Sequence, residues 1–297
     1  MEKNVFKRAL RNKLIAGGIY SVFSVAVCVG LVIANATIKP NEGFITSALC
    51  SVDTSGSMRN SAAKSGEALA VEIEQEGIVL AQNNDNILPL SNETTKVNVF
   101  GHSVVDWLIS NSGSGSAGPG SSQKTVGLLE ALEAKGIEYN TDIINYYKSW
   151  CAPRDLPFSI QSGYDSLYRL ADPSLSNDAT YRTKYENSKS YSDTAFVCLS
   201  RVAGEHIDVP HQQINKYKAK QSKDTTRGYL EITTEEEELL TAVARDFDKV
   251  VVILNCSNVM QCDFLKNIEG LDACLIVGPT GTVGAKAIPQ VLWVDIN

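Results

Sequence analysis

Histidine is scarce in this chain, with three in 297 residues, and neither His102 (after Gly101) nor His211 (after Pro210) has a partner at metal-ligand spacing. That removes the usual histidine-built metal centre and leaves both as loop or surface residues. The seven cysteines (28, 50, 151, 198, 256, 262, 274) are odd in number and lack short spacings, so they outline neither a disulfide framework nor a zinc site. Cys198, Cys256 and Cys274 lie in or beside apolar runs and read as small buried hydrophobes. An excess of positive charge is also missing: 27 Lys and Arg face 34 Asp and Glu, a net charge of −7, which argues against a nucleic-acid partner. The glycine-rich stretch Ser112–Gly120 invites a phosphate-binding reading, but it lacks the G-K-[ST] ending of a phosphate-binding loop, its G-x-G-x-x-G match alone is weak, and a flexible surface loop accounts for it as well. No metal and no organic cofactor is expected.

Charge is unevenly placed at the start. Lys3, Lys7, Arg8, Arg11 and Lys13 precede an uncharged run from Leu14 to Ile38. A bilayer takes about 20 apolar residues, whereas a cleavable signal core has only about 7–15, so the run is expected to persist as a transmembrane signal anchor. Ala34-Asn-Ala36 nevertheless offers a cleavage site. The basic segment 1–13 is expected to stay cytoplasmic, which puts the anchor at 14–38 and everything beyond Lys39 outside the cell membrane. Residues 39–61, rich in Ser and Gly, read as a linker.

Beyond the linker the pattern is that of an α/β domain over 62–297. An amphipathic helix is expected from Ala62 to Gln82, stopped by Asn83-Asn-Asp-Asn86, and Lys96–Phe100 reads as a strand. A helix follows from about Thr125 to Lys135, then a short strand near 137–139. The polar, tyrosine-rich stretch 141–192 reads as a helical insertion. Thr194–Ser200, Lys249–Asn255 and Asp272–Gly278 are continuous apolar runs, as strands buried on both faces require. Glu235–Phe247 is an expected helix, capped by Thr233 or Thr234 and acidic in its first turn. A last helix over 284–293 contains Pro289, which should kink or shorten it. Strands alternating with helices predict a mostly parallel sheet sandwiched by helices.

Glu205 is the leading candidate for chemistry. It lies just past a buried strand, on a loop with Gly204, where open α/β sheets bind ligands. Glycoside hydrolysis needs two carboxyl groups about the scissile bond, one to protonate the leaving oxygen and one to attack or to activate water. Taken alone, a loop glutamate is more often a solvated charge. Two runs change the weighting: Glu76-Gly-Ile-Val-Leu-Ala-Gln-Asn-Asn-Asp-Asn-Ile-Leu-Pro-Leu90 and Ser200-Arg-Val-Ala-Gly-Glu-His206. They resemble the EGIVLLKN…LPL and S-x-x-GE segments of the non-barrel domain of glycoside hydrolase family 3, and the order of motifs matches from about Ala68 to the end. The resemblance implies a retaining β-glycosidase acting on a β-glycoside or oligosaccharide. It assigns Glu205 as general acid/base, with Arg201, His206 and Asp208 as substrate contacts. It also implies that the glycine-rich loop shapes the active-site entrance.

The sequence departs from the family at His206, at Gln82, where the family has lysine, and at Gly281–Ala287, which lacks an acidic residue and a glycine. The family's nucleophile is an aspartate on a (β/α)8 barrel, which needs about 200 or more residues of its own, and no barrel is legible here. Val291–Asn297 resembles the V-L-x-G-D-V-N run that precedes P-S-G-K/R in the family, some members of which place this domain first and the barrel after it. The chain is therefore expected to supply one carboxylate, to need a barrel in cis downstream or in trans, and to be inactive alone. The rival reading is a non-catalytic carbohydrate-binding or scaffolding domain derived from the family. A second rival is a divalent-metal adhesion site at Asp53-Thr-Ser-Gly-Ser57. Chance in a serine-rich linker accounts better for that match. Trp107, Trp150 and Trp293 read as packing residues.

Overall fold

The computed structural model describes residues 2–38, 56–110, 124–151, 170, 172–204, 209–213, 215–217, 220–222 and 226–293. The chain forms two compact units, Met1–Lys64 and Ser65–Asn297. In the first, helix α1 (Glu2–Ile38) is continuous. Its stretch Arg11–Ile33 has a mean hydropathy of 2.1 and is wholly exposed. At about 1.5 Å per residue it is long enough for the roughly 30 Å hydrocarbon core of a bilayer. Residues 39–55, including Asp53 and Ser55 of the adhesion-site motif, lie outside the described residues.

Helix α2 (Gly56–Gly77) starts earlier than the expected Ala62 and ends five residues before the expected Gln82. The remainder of that stretch is strand β1 (Val79–Asn83), antiparallel to β8 (Ala273–Val277). The reason is local. Gly77 has a low helix propensity, and the β-branched Ile78 and Val79 that follow it favour a pleated edge over another helical turn.

Strands β2 (Lys96–Phe100), β3 (Glu138–Tyr139), β4 (Thr194–Leu199) and β7 (Lys249–Asn255) complete a six-stranded sheet in the order β1-β8-β7-β4-β2-β3. All its pairs except β1 with β8 are parallel. Every residue of β4 is buried, and β7 is buried beyond Lys249, as their apolar runs require. Cys198 and Cys274 are fully buried and Cys256 nearly so.

Helices α3 (Leu128–Lys135), α4 (Thr141–Trp150), α5 (Ala179–Ser188), α6 (Thr234–Asp246), α7 (Phe264–Asn267) and α8 (Ala287–Leu292) cover the sheet. Pro289 sits inside the first turn of α8, where its missing N–H costs no helical bond. A small hairpin that the sequence did not announce, β5 (Asn215–Tyr217) with β6 (Lys220–Ser222), stands apart from the sheet.

The chain runs from β2 to β3 on one side and then returns to β4, β7 and β8 on the other. The strand order therefore reverses between β2 and β4. The carboxyl ends of these two strands form the switch point at which such sheets open a binding crevice.

Candidate active site

The loops at the switch point are built to a close tolerance. Gly101 ends β2 with φ +91°, and a Cβ there would stand 2.1 Å from the carbonyl oxygen of Cys198 in β4. Only glycine admits this approach. Ser103 Oγ donates to the same carbonyl. His102 is buried rather than on the surface. Its ring Nε2 is 3.0 Å from Cys151 O, and its backbone N–H donates to Asp172 Oδ1 at 2.7 Å.

The loop after β2 is tied to its neighbours by Asn255 at the end of β7. Asn255 Oδ1 accepts from Leu108 N at 2.6 Å, while Nδ2 donates to Leu108 O at 3.1 Å and Gly278 O at 2.9 Å. Trp107 Nε1 donates to Thr280 Oγ1 at 2.9 Å, and Gly281 N–H donates to Ile109 O at 2.8 Å. Trp293 packs edge-on against Phe196 and Trp150 against His102, so all three tryptophans serve packing or loop closure.

Arg201 follows β4 and has no solvent exposure. Its Nε donates to Tyr229 O (2.8 Å), Nη1 to Ser200 O (2.9 Å) and Glu236 Oε1 (2.8 Å), and Nη2 to Glu231 O (2.5 Å) and Glu236 Oε2 (2.7 Å). These five bonds use every N–H of the guanidinium. Arg201 therefore presents no free donor for the substrate contact expected of it. Glu236 is the third helical residue of a capping box. It accepts from Thr233 N at 2.7 Å and donates its own N–H to Thr233 Oγ1 at 3.0 Å, which settles Thr233 as the cap.

Burial alone would lower the Arg201 pKa, but the Glu236 carboxylate more than offsets it and the pKa is raised. Asp172, close to this pair, has a pKa well above the usual carboxylate value. Burial is the main cause and repulsion from Glu236 adds to it, while the His102 N–H and Arg201 oppose it.

The next residues are held as tightly. Val202 N–H donates to Tyr229 Oη at 2.9 Å, and that hydroxyl donates back to Val202 O at 3.1 Å. Ala203 N–H donates to Ser257 Oγ at 2.7 Å, and Ser257 Oγ–H donates to Ala203 O at 3.0 Å. A small apolar cluster of Leu108, Leu170, Val202 and Tyr229 underlies the segment, with Val209 and Leu230 packed against it. Glu205, His206 and Asp208 lie outside the described residues, and Gly204 and Val209 are the described residues on either side. The glycine-rich loop also lies outside them. Gln82 donates to Leu271 O at 2.5 Å across the sheet edge. Among the described residues no group of three or more His, Cys, Asp or Glu is arranged to hold a metal.

Sequence reading missed Tyr229, Glu236 and Ser257. The capping-box spacing of Thr233 and Glu236 was a usable signal, as was an arginine at the mouth of a buried strand, which demands a carboxylate. Tyr229 was visible only as part of the Gly228-Tyr-Leu run that ends a loop, with no role attached, and nothing local marked Ser257.

The sequence model described as "Glycosyl hydrolase family 3 C-terminal domain" matches residues 78–297. A β-glucosidase of Ruminococcus albus is 28% identical over 228 residues, covering 77% of this chain and 21% of the relative. β-Glucosidase A of Butyrivibrio fibrisolvens is 26% identical over 244 residues, covering 77% and 27%. Among solved structures, a β-glucosidase from Paenibacillus barengoltzii superposes with a TM-score of 0.62 at 26% identity, over 78% of this chain and 23% of that one. β-Glucosidase 3B from Thermotoga neapolitana, in complex with glucose, superposes with a TM-score of 0.56 at 21% identity, over 78% and 29%. The chain thus spans about a quarter of the length of these relatives.

Proposed function

The chain belongs to glycosyl hydrolase family 3, whose C-terminal domain it carries over residues 78–297, and from that premise we propose that it contributes the general acid/base, Glu205, to a retaining β-glycosidase. The observation that carries this reading is the anchored segment Ser200–Ala203. It leaves a fully buried strand at the switch point and leads directly to Gly204-Glu205. A general acid must be held within hydrogen-bond reach of the oxygen it protonates, and a pinned approach to the residue meets that need.

In the proposed reaction Glu205 protonates the glycosidic oxygen while a carboxylate on a (β/α)8 barrel attacks the anomeric carbon. Glu205 then takes a proton from the water that releases the sugar. The two carboxyl groups of a retaining pair stand about 5–5.5 Å apart, so the barrel must close over this edge of the sheet. The barrel is supplied in cis or in trans. His206 and Asp208 flank Glu205 in sequence and are proposed to contact the sugar, whereas Arg201 acts from below. Helix α1 is proposed as a signal anchor that holds the domain on the extracytoplasmic side.

The test is hydrolysis of aryl β-glucosides by the full chain, alone and with the barrel polypeptide encoded alongside it, with Glu205→Gln as control. Activity in the mixture only, lost by a factor of roughly 10²–10⁴ in Glu205→Gln on substrates with poor leaving groups, is the expected result. A folded, inactive mixture would favour a binding or scaffolding domain instead.

A further inference from the structure

Strand β4 ends at Leu199, and its regular pairing with β7 stops there, short of the residues that lead to Glu205. Side chains take over its role. Tyr229 accepts from the N–H of Val202 and donates to its C=O through one hydroxyl, and Ser257 does the same for Ala203. The Ser257 N–H also donates to Arg201 O at 3.0 Å. Arg201, buried on Glu236, fixes Ser200 O and draws in the carbonyls of Tyr229 and Glu231. The backbone polar groups of residues 202 and 203 are thus met by two hydroxyls, one from the turn before α6 and one from the loop after β7.

We infer that Tyr229 and Ser257 are positioning residues for the general acid/base, acting as a side-chain continuation of strand β4 braced by the Arg201–Glu236 pair. The inference rests on the reading of Glu205 given above. Neither hydroxyl is needed to fill the core, because the Tyr229 ring packs on Leu108, Leu170 and Val202 without it. What each hydroxyl adds is register and direction for the backbone that carries Glu205. Misplacing a catalytic group by about 1 Å can cost about 10²-fold in rate. Such a loss falls on proton donation and spares bond breaking that needs no acid.

The experiment compares a dinitrophenyl β-glucoside, whose leaving group needs no protonation, with phenyl and alkyl β-glucosides. It uses the full chain assembled with its barrel. Tyr229→Phe should lower kcat on the poor leaving groups by roughly 10- to 100-fold, with KM nearly unchanged. On the dinitrophenyl substrate in the presence of azide, which replaces water in the second step, it should lose little. Ser257→Ala provides the second variant should Tyr229→Phe fold poorly, and Ser257→Thr, which restores a hydroxyl, should recover most of the loss. Equal losses on all substrates, or none, while Glu205→Gln retains its leaving-group dependence, would overturn this inference alone. A Glu205→Gln enzyme without leaving-group dependence, or an inactive wild-type assembly, would overturn the reading beneath it and this inference with it.

Discussion

Arg201 and Glu236 have side-chain exposures of 0% and 3%, and they meet in a bidentate pair at 2.7–2.8 Å. A buried ion pair of this kind contributes little net stability relative to apolar residues of the same volume, but removing one partner strands the other charge. Glu236→Leu should therefore cost about 3–5 kcal/mol, read as a lower denaturant midpoint of the full chain in mild detergent. Adding Arg201→Met should recover only part of the loss. The guanidinium also donates to the carbonyls of Ser200, Tyr229 and Glu231, and those bonds would go with it, although Gln213 Nε2 still donates to Glu231 O at 3.2 Å. Full recovery in the double variant would show that these carbonyls find other donors. The sequence marked Arg201 as functional but attached it to the sugar. Its partner lies 35 residues away on another element, and a single sequence carries no trace of that pairing beyond the capping-box spacing of Thr233 and Glu236.

Gly101 decides how closely strands β2 and β4 can converge at their carboxyl ends. With φ at +91° and the Cys198 carbonyl 2.1 Å from any added Cβ, Gly101→Ala combines backbone strain with a steric clash against main chain. A loss of about 3 kcal/mol or more is expected, together with weaker protection of the Val104 and Val202 amides in hydrogen exchange; a loss below about 1 kcal/mol would mean that the strand ends separate freely. At this scale much was legible before the structure. The three apolar runs became β4, β7 and β8, since a strand buried on both faces has one pattern only. Misreadings arose where a short segment satisfied two periods at once. Ile78–Gln82 suits a helical stripe as well as an edge strand, and only its pairing with β8 decides between them. The hairpin Asn215–Ser222 was illegible because its polar residues carry neither period.

At the scale of the whole molecule, the globular unit closely follows a family fold, while the N-terminal unit is defined by its solvent preference. The side chains of Arg11–Ile33 are exposed along a helix of mean hydropathy 2.1, so Leu14, Ile19, Tyr20, Phe23 and Leu31 find no protein partner within their own unit. At about 25 cal/mol per Å² of apolar surface, leaving such a helix in water costs far more than the few kcal/mol that decide a conformational equilibrium. A bilayer removes that cost, and Lys7, Arg11 and Lys13 at one end of the run favour the orientation with that end in the cytoplasm. The full chain should therefore sediment with membranes and resist carbonate extraction, while a chain lacking residues 1–38 should stay in the supernatant. A protease added outside intact cells should digest the domain and spare a tag fused before Met1. Release of the full chain by carbonate would mean that α1 lies on a surface or packs against protein, and a protected domain would reverse the orientation. What the basic-then-apolar order made readable is a helix long and apolar enough to cross a membrane, because that property depends on composition and length and not on long-range contacts.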